Sequence, residues 1–254
     1  MAYASNGGVR IHYEVEGEGP PLVLMHPLGA SLEGWRRVDY VEGLKGDYRL
    51  VLIDARGHGA SDKPHDPEAY KMALRIADVV AVLDDLNIGK AHYLGYSMGG
   101  RIGWGIATYA PERFHSLILG GYSLYGNAQE GPNFFDLSQQ GMEAYLAATE
   151  QMAGPRWTPE VRAMCGANDL QALTAAISVE EDLGFQDLLP AITVPCLLYG
   201  GEADPWYAGA EECARRMPNA TVVTLPGLDH IEAADRADLM LPHIRRFLAE
   251  VGET

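Results

Sequence analysis

The sequence predicts an α/β fold: a mostly parallel sheet flanked by helices, with a small helical cap inserted before the last strands. Three observations predict it. Short, nearly continuous apolar runs recur at residues 22–25, 50–53, 92–94, 116–119, 195–199 and 221–225, the pattern of strands buried on both faces. Segments with helical spacing lie between them, and such alternation builds right-handed βαβ units. The alternation then stops between about Tyr122 and Pro190, where no strand-like run occurs.

Taken in order, Val9–Glu16 alternates apolar and polar residues and reads as a half-exposed strand, closed by a Gly- and Pro-rich turn at 17–21. Residues 70–86 put Leu74, Ala77, Val80, Ala81 and Leu83 on one side and Asp78, Asp84 and Asp85 opposite, an amphipathic helix. A further helix starts at about Gly100, directly after a Gly-rich turn. Within the strand-free stretch, residues 141–152, 158–164 and 170–177 read as short helices, with breaks at Gly131-Pro132 and Gly154-Pro155. Residues 208–217 and 234–251 read as the final helices. The expected organisation is one core built from residues 1–121 and 190–254, with residues 122–189 as the cap. There is no internal repeat.

Composition narrows the class. A chain of 254 residues with 47% hydrophobic content buries enough surface to need no stabilising metal or disulfide. Nineteen basic against 35 acidic residues leave a net charge of −16, which disfavours nucleic acid and anionic membrane as partners. Cys165, Cys196 and Cys213 are an odd count without metal-ligand spacing and fit a reducing compartment. The first 19 residues contain no apolar signal core, and no apolar run approaches the ~20 residues of a membrane span. A cytoplasmic location, no cofactor and no metal are the expectations, and composition leaves a homodimer open.

The most informative stretch is Gly95-Tyr96-Ser97-Met98-Gly99. It follows a strand-like run and precedes a helix, so the turn between them is tight and strained and needs glycine two positions either side. The serine hydroxyl is then held out at the carboxyl end of the sheet, where the Met98 N–H points as well.

A serine nucleophile needs a base, an acid and oxyanion donors. With the chain order Ser, acid, His, the base is His230, in the loop 226–230 after the strand 221–225. The acid follows the strand 195–199, and Asp204 is preferred over Glu202 because it lies deeper in its loop, just before Pro205. Its plainer role would be a helix N-cap. Of the two oxyanion donors, Met98 supplies one; Leu28 is assigned the second, since Pro27 has no N–H. His26, His58 and His230 lack a carboxylate partner at metal-site spacing. The polar loop 54–62 matches neither a Walker loop nor a ligand pattern and reads as a brace for the site.

These segments together resemble the α/β-hydrolase superfamily, in its small single-cap branch of esterases, lactonases and perhydrolases. The matching residues are His26-Pro27-Leu28-Gly29, Asp54 to Asp62, Gly95 to Gly99, Gly200 to Asp204 and Gly227 to His230. The resemblance spans about residues 9–250 and implies the same triad, Ser97, Asp204 and His230. His26-Pro27 departs from the His-Gly of many relatives. Epoxide hydrolases and haloalkane dehalogenases of the superfamily carry aspartate where this chain has Ser97. The implied activity is cleavage of a small-molecule ester or lactone through an acyl-enzyme. The alternatives are carbon–carbon bond hydrolysis, perhydrolysis, cyanohydrin cleavage or ligand sensing on the same fold. His26, Tyr122, Tyr125, Met142, Tyr145, Trp157 and Trp206 are the expected pocket residues, since ligand pockets are mostly apolar and aromatic.

Overall fold

The computed structural model describes residues 1–126, 132–179 and 184–252. Its centre is an eight-stranded sheet: β1 (Ala2–Asn6), β2 (Val9–Glu16), β3 (Pro21–Met25), β4 (Arg49–Ile53), β5 (Ala91–Tyr96), β6 (Phe114–Gly120), β7 (Cys196–Gly201) and β8 (Ala220–Leu225), in the order β1-β2-β4-β3-β5-β6-β7-β8. The first two strand pairings, β1 with β2 and β2 with β4, are antiparallel, and the rest are parallel. The alternating pattern of residues 9–16 and the continuous apolar runs that follow match this division, except that β8, at the sheet edge, buries only Leu225 fully and is not covered on both faces. β1 is a strand that the sequence pattern does not announce. Its five residues turn only Ala4 fully inward, too little for a periodic signal.

Side-chain alternation along the strands splits the interior into two layers. Val23, Met25, Val51, Ile53 and Tyr93 face one layer. Leu22, Leu24, Leu50, Leu52 and Leu94 face the other. On the second face lie α1 (Glu33–Arg37) and α2 (Tyr40–Leu44), contributing Trp35, Tyr40 and Leu44. The first face is covered by α3 (Met72–Asp85) and α4 (Met98–Tyr109), through Ile76, Val79, Ile102 and Ile106. The expected helix at 70–86 thus starts two residues late, because a 3₁₀ turn at Pro67–Tyr70 comes first.

Between β6 and β7 the described residues contain helices and no strand: α5 (Phe134–Gln139), α6 (Met142–Ala153), α7 (Pro159–Gly166), α8 (Leu170–Ser178) and α9 (Phe185–Leu188). Tyr145, Leu146, Cys165 and Leu173 form their shared core. The anticipated break at Gly131 lies outside the described residues. The chain then returns through β7, α10 (Ala210–Arg216), β8, α11 (His230–Asp235) and α12 (Ala237–Val251). The single helix expected at 234–251 is therefore two helices. Asp229 and Glu232 form a capping box that starts α11 four residues earlier. No helix among the described residues is long and apolar enough to cross a membrane.

Candidate active site

β5 runs straight into α4, and Ser97 is the residue between them. Its backbone sits at φ 54°, ψ −110°, a conformation that costs about 1–3 kcal/mol for a residue with a side chain. Neighbouring structure enforces it. A Cβ on Gly95 would lie 2.4 Å from the Gly99 carbonyl oxygen, and one on Gly99 would lie 2.1 Å from that of Met25. Hydrogen bonds hold both sides of the turn: Ser97 N donates to Gly120 O at 2.8 Å, and Arg101 N donates to Ser97 O at 2.9 Å.

Three strands away in sequence but adjacent in space, the imidazole of His230 meets this hydroxyl. Its Nε2 lies 3.0 Å from Ser97 Oγ, and its Nδ1 lies 2.6 Å from Asp204 Oδ2. The other Asp204 oxygen accepts from Trp206 N at 2.9 Å, so both carboxylate oxygens are engaged in a nearly dry setting (Asp204 is 2% exposed). Such an arrangement fixes the imidazole with Nδ1–H toward the acid and a bare Nε2 toward the serine. Glu202 instead accepts from Gly227 N at 2.9 Å and ties the acid loop to the histidine loop. His230 was expected in a loop; it is the first residue of α11, and its carbonyl accepts from the Tyr96 hydroxyl at 2.8 Å.

In the loop after β3, Leu28 packs against the cap core. Neither Leu28 N–H nor Met98 N–H has a partner among the described residues, and Met98 is the first residue of α4, where an N–H has no intrahelical acceptor. Two free donors and a helix N-terminus suit a developing negative charge.

His26 braces this loop and does not line a pocket. It is fully buried. Its Nδ1 donates to Pro27 O at 2.7 Å, and its Nε2 accepts from Ala55 N at 3.1 Å, so both ring nitrogens are occupied. Burial lowers its pKa and keeps it neutral. The His58 ring, 5.1 Å away, is pushed down to about 3 by burial and then by His26. Beneath them Asp54 accepts from His12 Nδ1, Leu32 N and Ala60 N at 2.8, 2.9 and 2.9 Å. Burial acts to raise the Asp54 pKa, but these donors and His26 hold it below its ordinary value.

The other expected pocket residues separate into groups. Trp206 packs on the His230 ring, with centroids 4.7 Å apart. Tyr145 is buried in the cap core, where half-buried Met142, Trp157 and Leu28 join it. Tyr122 packs on the core under α4, its carbonyl accepting from Trp104 Nε1 at 3.3 Å. Tyr125 turns away to Arg216, stacking 5.9 Å from its guanidinium and meeting it through the hydroxyl. It is half-buried and also packs on the core, beside Gly209.

Two cap contacts went unread in the sequence. Asn168 Nδ2 donates to Gly29 O at 2.7 Å and to Cys165 O at 3.0 Å, while the Tyr145 ring closes over Gly29, whose missing side chain leaves the space. Arg156 reaches Glu232 at 3.0 Å and Asp229 at 3.4 Å, spanning the cap of α11. Apart from Cys165, these partners are 73–139 residues away, so no local pattern announces them.

Comparison with known proteins agrees with this fold. The alpha/beta hydrolase fold family matches over residues 20–171. The chain is 31% identical to 3-oxoadipate enol-lactonase 2 of Acinetobacter baylyi, covering 78% of this chain and 77% of that protein. It is 39% identical to epoxide hydrolase 4 of Mus musculus, but over only 45% of this chain and 32% of that protein. A crystal structure of a hydrolase from Pseudomonas aeruginosa superposes with a TM-score of 0.86 at 28% identity, covering 97% of both chains. The enol-lactonase from Burkholderia xenovorans superposes at 0.83, also at 28% identity, over 98% of this chain and 100% of that one.

Proposed function

From a chain that belongs to the alpha/beta hydrolase fold family and is a hydrolase by that membership, we propose a serine hydrolase that cleaves small carboxylic esters or lactones through an acyl-enzyme. The observation that carries this reading is the continuous hydrogen-bond chain from Ser97 Oγ through His230 to Asp204. As the serine attacks the acyl carbon, its proton passes to His230 Nε2. Asp204 keeps Nδ1–H in place and stabilises the imidazolium. The carbonyl oxygen becomes an oxyanion held by the Leu28 and Met98 N–H groups. Collapse of the tetrahedral intermediate breaks the bond to the leaving oxygen, which takes the proton from Nε2. A water deprotonated by the same nitrogen then attacks the acyl-serine, and the second tetrahedral intermediate releases the acid and the free hydroxyl.

Ser97 favours this chemistry over the epoxide opening named for the partial relative, because that branch of the superfamily uses an aspartate there. The enol-lactonases among the longer matches favour an ester or lactone carbonyl. The test is hydrolysis of a p-nitrophenyl acyl series and a lactone panel by wild type and Ser97→Ala. Turnover that disappears in Ser97→Ala is expected, with the acyl-length profile sizing the pocket. A folded wild type that turns over no ester or lactone would overturn the proposal.

A further inference from the structure

In a chain with 35 acidic and 19 basic residues, most arginines find a carboxylate. Arg56 holds Asp78 with two 2.5 Å hydrogen bonds, and Arg36 binds Glu14, Glu16 and Glu33. Two arginines near the site do not. Arg75 is buried at the start of α3, where it donates Nε to Tyr70 O at 2.7 Å and Nη2 to Ala176 O of the cap at 2.6 Å. It meets carbonyl dipoles and no carboxylate, and Asp78, the nearby acid, is already committed to Arg56. Arg101 is half-buried and its guanidinium makes no hydrogen bond or ion pair with any described residue.

Position makes Arg101 significant. It is the fourth residue of α4, and its amide donates to Ser97 O, so it stands one helical turn along α4 from the serine. Gly105, one turn further along the same stripe, faces Met72 and Ile76 of α3. Arg101 therefore lies on the face of α4 toward α3, where its charge and that of Arg75 repel. Two like charges at a partly dry seam, neither of them ion-paired to a carboxylate among the described residues, are unfavourable without an anion. A substrate bonded at Ser97 would lie one helical turn from Arg101 along α4.

We propose that Arg101, backed by Arg75, is the specificity-determining residue of the site and selects substrates that carry a carboxylate a few bonds from the scissile carbonyl. The proposal rests on the serine-hydrolase reading above and adds the substrate class: half-esters of dicarboxylic acids and lactones bearing a free acid. Arg101 binds the distal carboxylate through its guanidinium and takes no part in the proton transfers.

The experiment compares two p-nitrophenyl esters of equal length, p-nitrophenyl valerate and mono-p-nitrophenyl glutarate, which end in a methyl and a carboxylate, with spontaneous hydrolysis subtracted using Ser97→Ala. Wild type is expected to favour the acidic ester by about 10- to 100-fold in kcat/KM, the range of a charge-assisted hydrogen bond. Arg101→Gln is expected to bring the ratio close to one, and Arg101→Lys to restore part of it. A wild-type ratio near one, or a ratio unchanged in Arg101→Gln, would overturn the proposal. A second readout is independent of turnover: glutarate raises the melting temperature of Ser97→Ala, and the added Arg101→Gln removes that rise. Glutarate binding that persists without Arg101, or is absent from Ser97→Ala, also overturns it. If neither ester is hydrolysed but glutarate binds through Arg101, the hydrolase reading falls and the anion site stands.

Discussion

Replacing Asn168 with alanine tests whether the cap shapes the oxyanion site. The amide nitrogen of Asn168 donates to Gly29 O at 2.7 Å, one residue after the Leu28 N–H assigned to the oxyanion. Removing it leaves a part-buried carbonyl without its donor, a loss of about 1–2 kcal/mol. In a chain of this size that lowers the melting temperature by about 2–6 °C. The kinetic effect is separable from stability. Complete loss of one oxyanion donor costs about 10²–10³ in rate. Asn168 does not touch the oxyanion, and the brace of His26 and Asp54 remains, so the Leu28 donor drifts without disappearing. The expected result is a fall in kcat of about 10-fold with KM within about twofold, since the oxyanion exists only in the transition state. Steady-state kinetics on a neutral p-nitrophenyl ester, alongside a thermal melt, measure both. A raised KM with unchanged kcat would refute the reasoning, because it would mean that Asn168 holds substrate and leaves the oxyanion loop alone.

Asp204→Asn keeps the shape of the site but removes the charge facing His230 Nδ1; kcat should fall by about 10³–10⁴ with KM little changed, read by burst and steady-state assays. Gly99→Ala would drive a Cβ to 2.1 Å from the Met25 carbonyl oxygen, a clash of backbone with backbone, and should cost at least about 3 kcal/mol in a urea titration; a loss below 1 kcal/mol would mean the elbow relaxes freely. Acid stability gives the fourth test. His58 is held neutral down to about pH 3, whereas the unfolded chain protonates it below about 6.5. The unfolded state thus binds the extra proton between those values, and stability drops as pH falls through that window, by up to about 1.4 kcal/mol per pH unit. Urea midpoints at pH 7, 6 and 5 should decline in wild type and decline less in His58→Gln; equal slopes would remove His58 as the cause.

The middle of the sheet was legible because its strands are buried on both faces, and an unbroken run such as Leu50-Val51-Leu52-Ile53 admits few other readings. β1 was not, since Ala2–Asn6 has one inward residue and owes its place to pairing with β2. Ser97 was legible through its glycines, whose necessity is steric and local. Asp204 and His230 followed from chain order once Ser97 was assigned. His26 was misread because a histidine beside an oxyanion loop looks like a wall, and only its two ring hydrogen bonds reveal a strut. Asn168, Arg156 and Arg101 carry no motif. Asn168 and Arg156 meet partners that the fold brings near them, and the role proposed for Arg101 comes from its place beside Ser97 on α4.

The cap is spliced into the sheet at a point where the two flanking strands are hydrogen-bonded neighbours: Gly120 of β6 stands beside Tyr199 of β7. Because the two strands are parallel, the chain leaves from the carboxyl end of β6 and returns to the amino end of β7 at Cys196, beside Leu117. Closing a longer or shorter excursion there changes the free energy only logarithmically with length. The frame that holds the serine, acid and histidine can therefore keep its register while the lid above it is rebuilt. For an engineer, this makes the segment after β6 an exchangeable cassette. Grafts that retain a donor for the Gly29 carbonyl would preserve the chemistry while changing what enters.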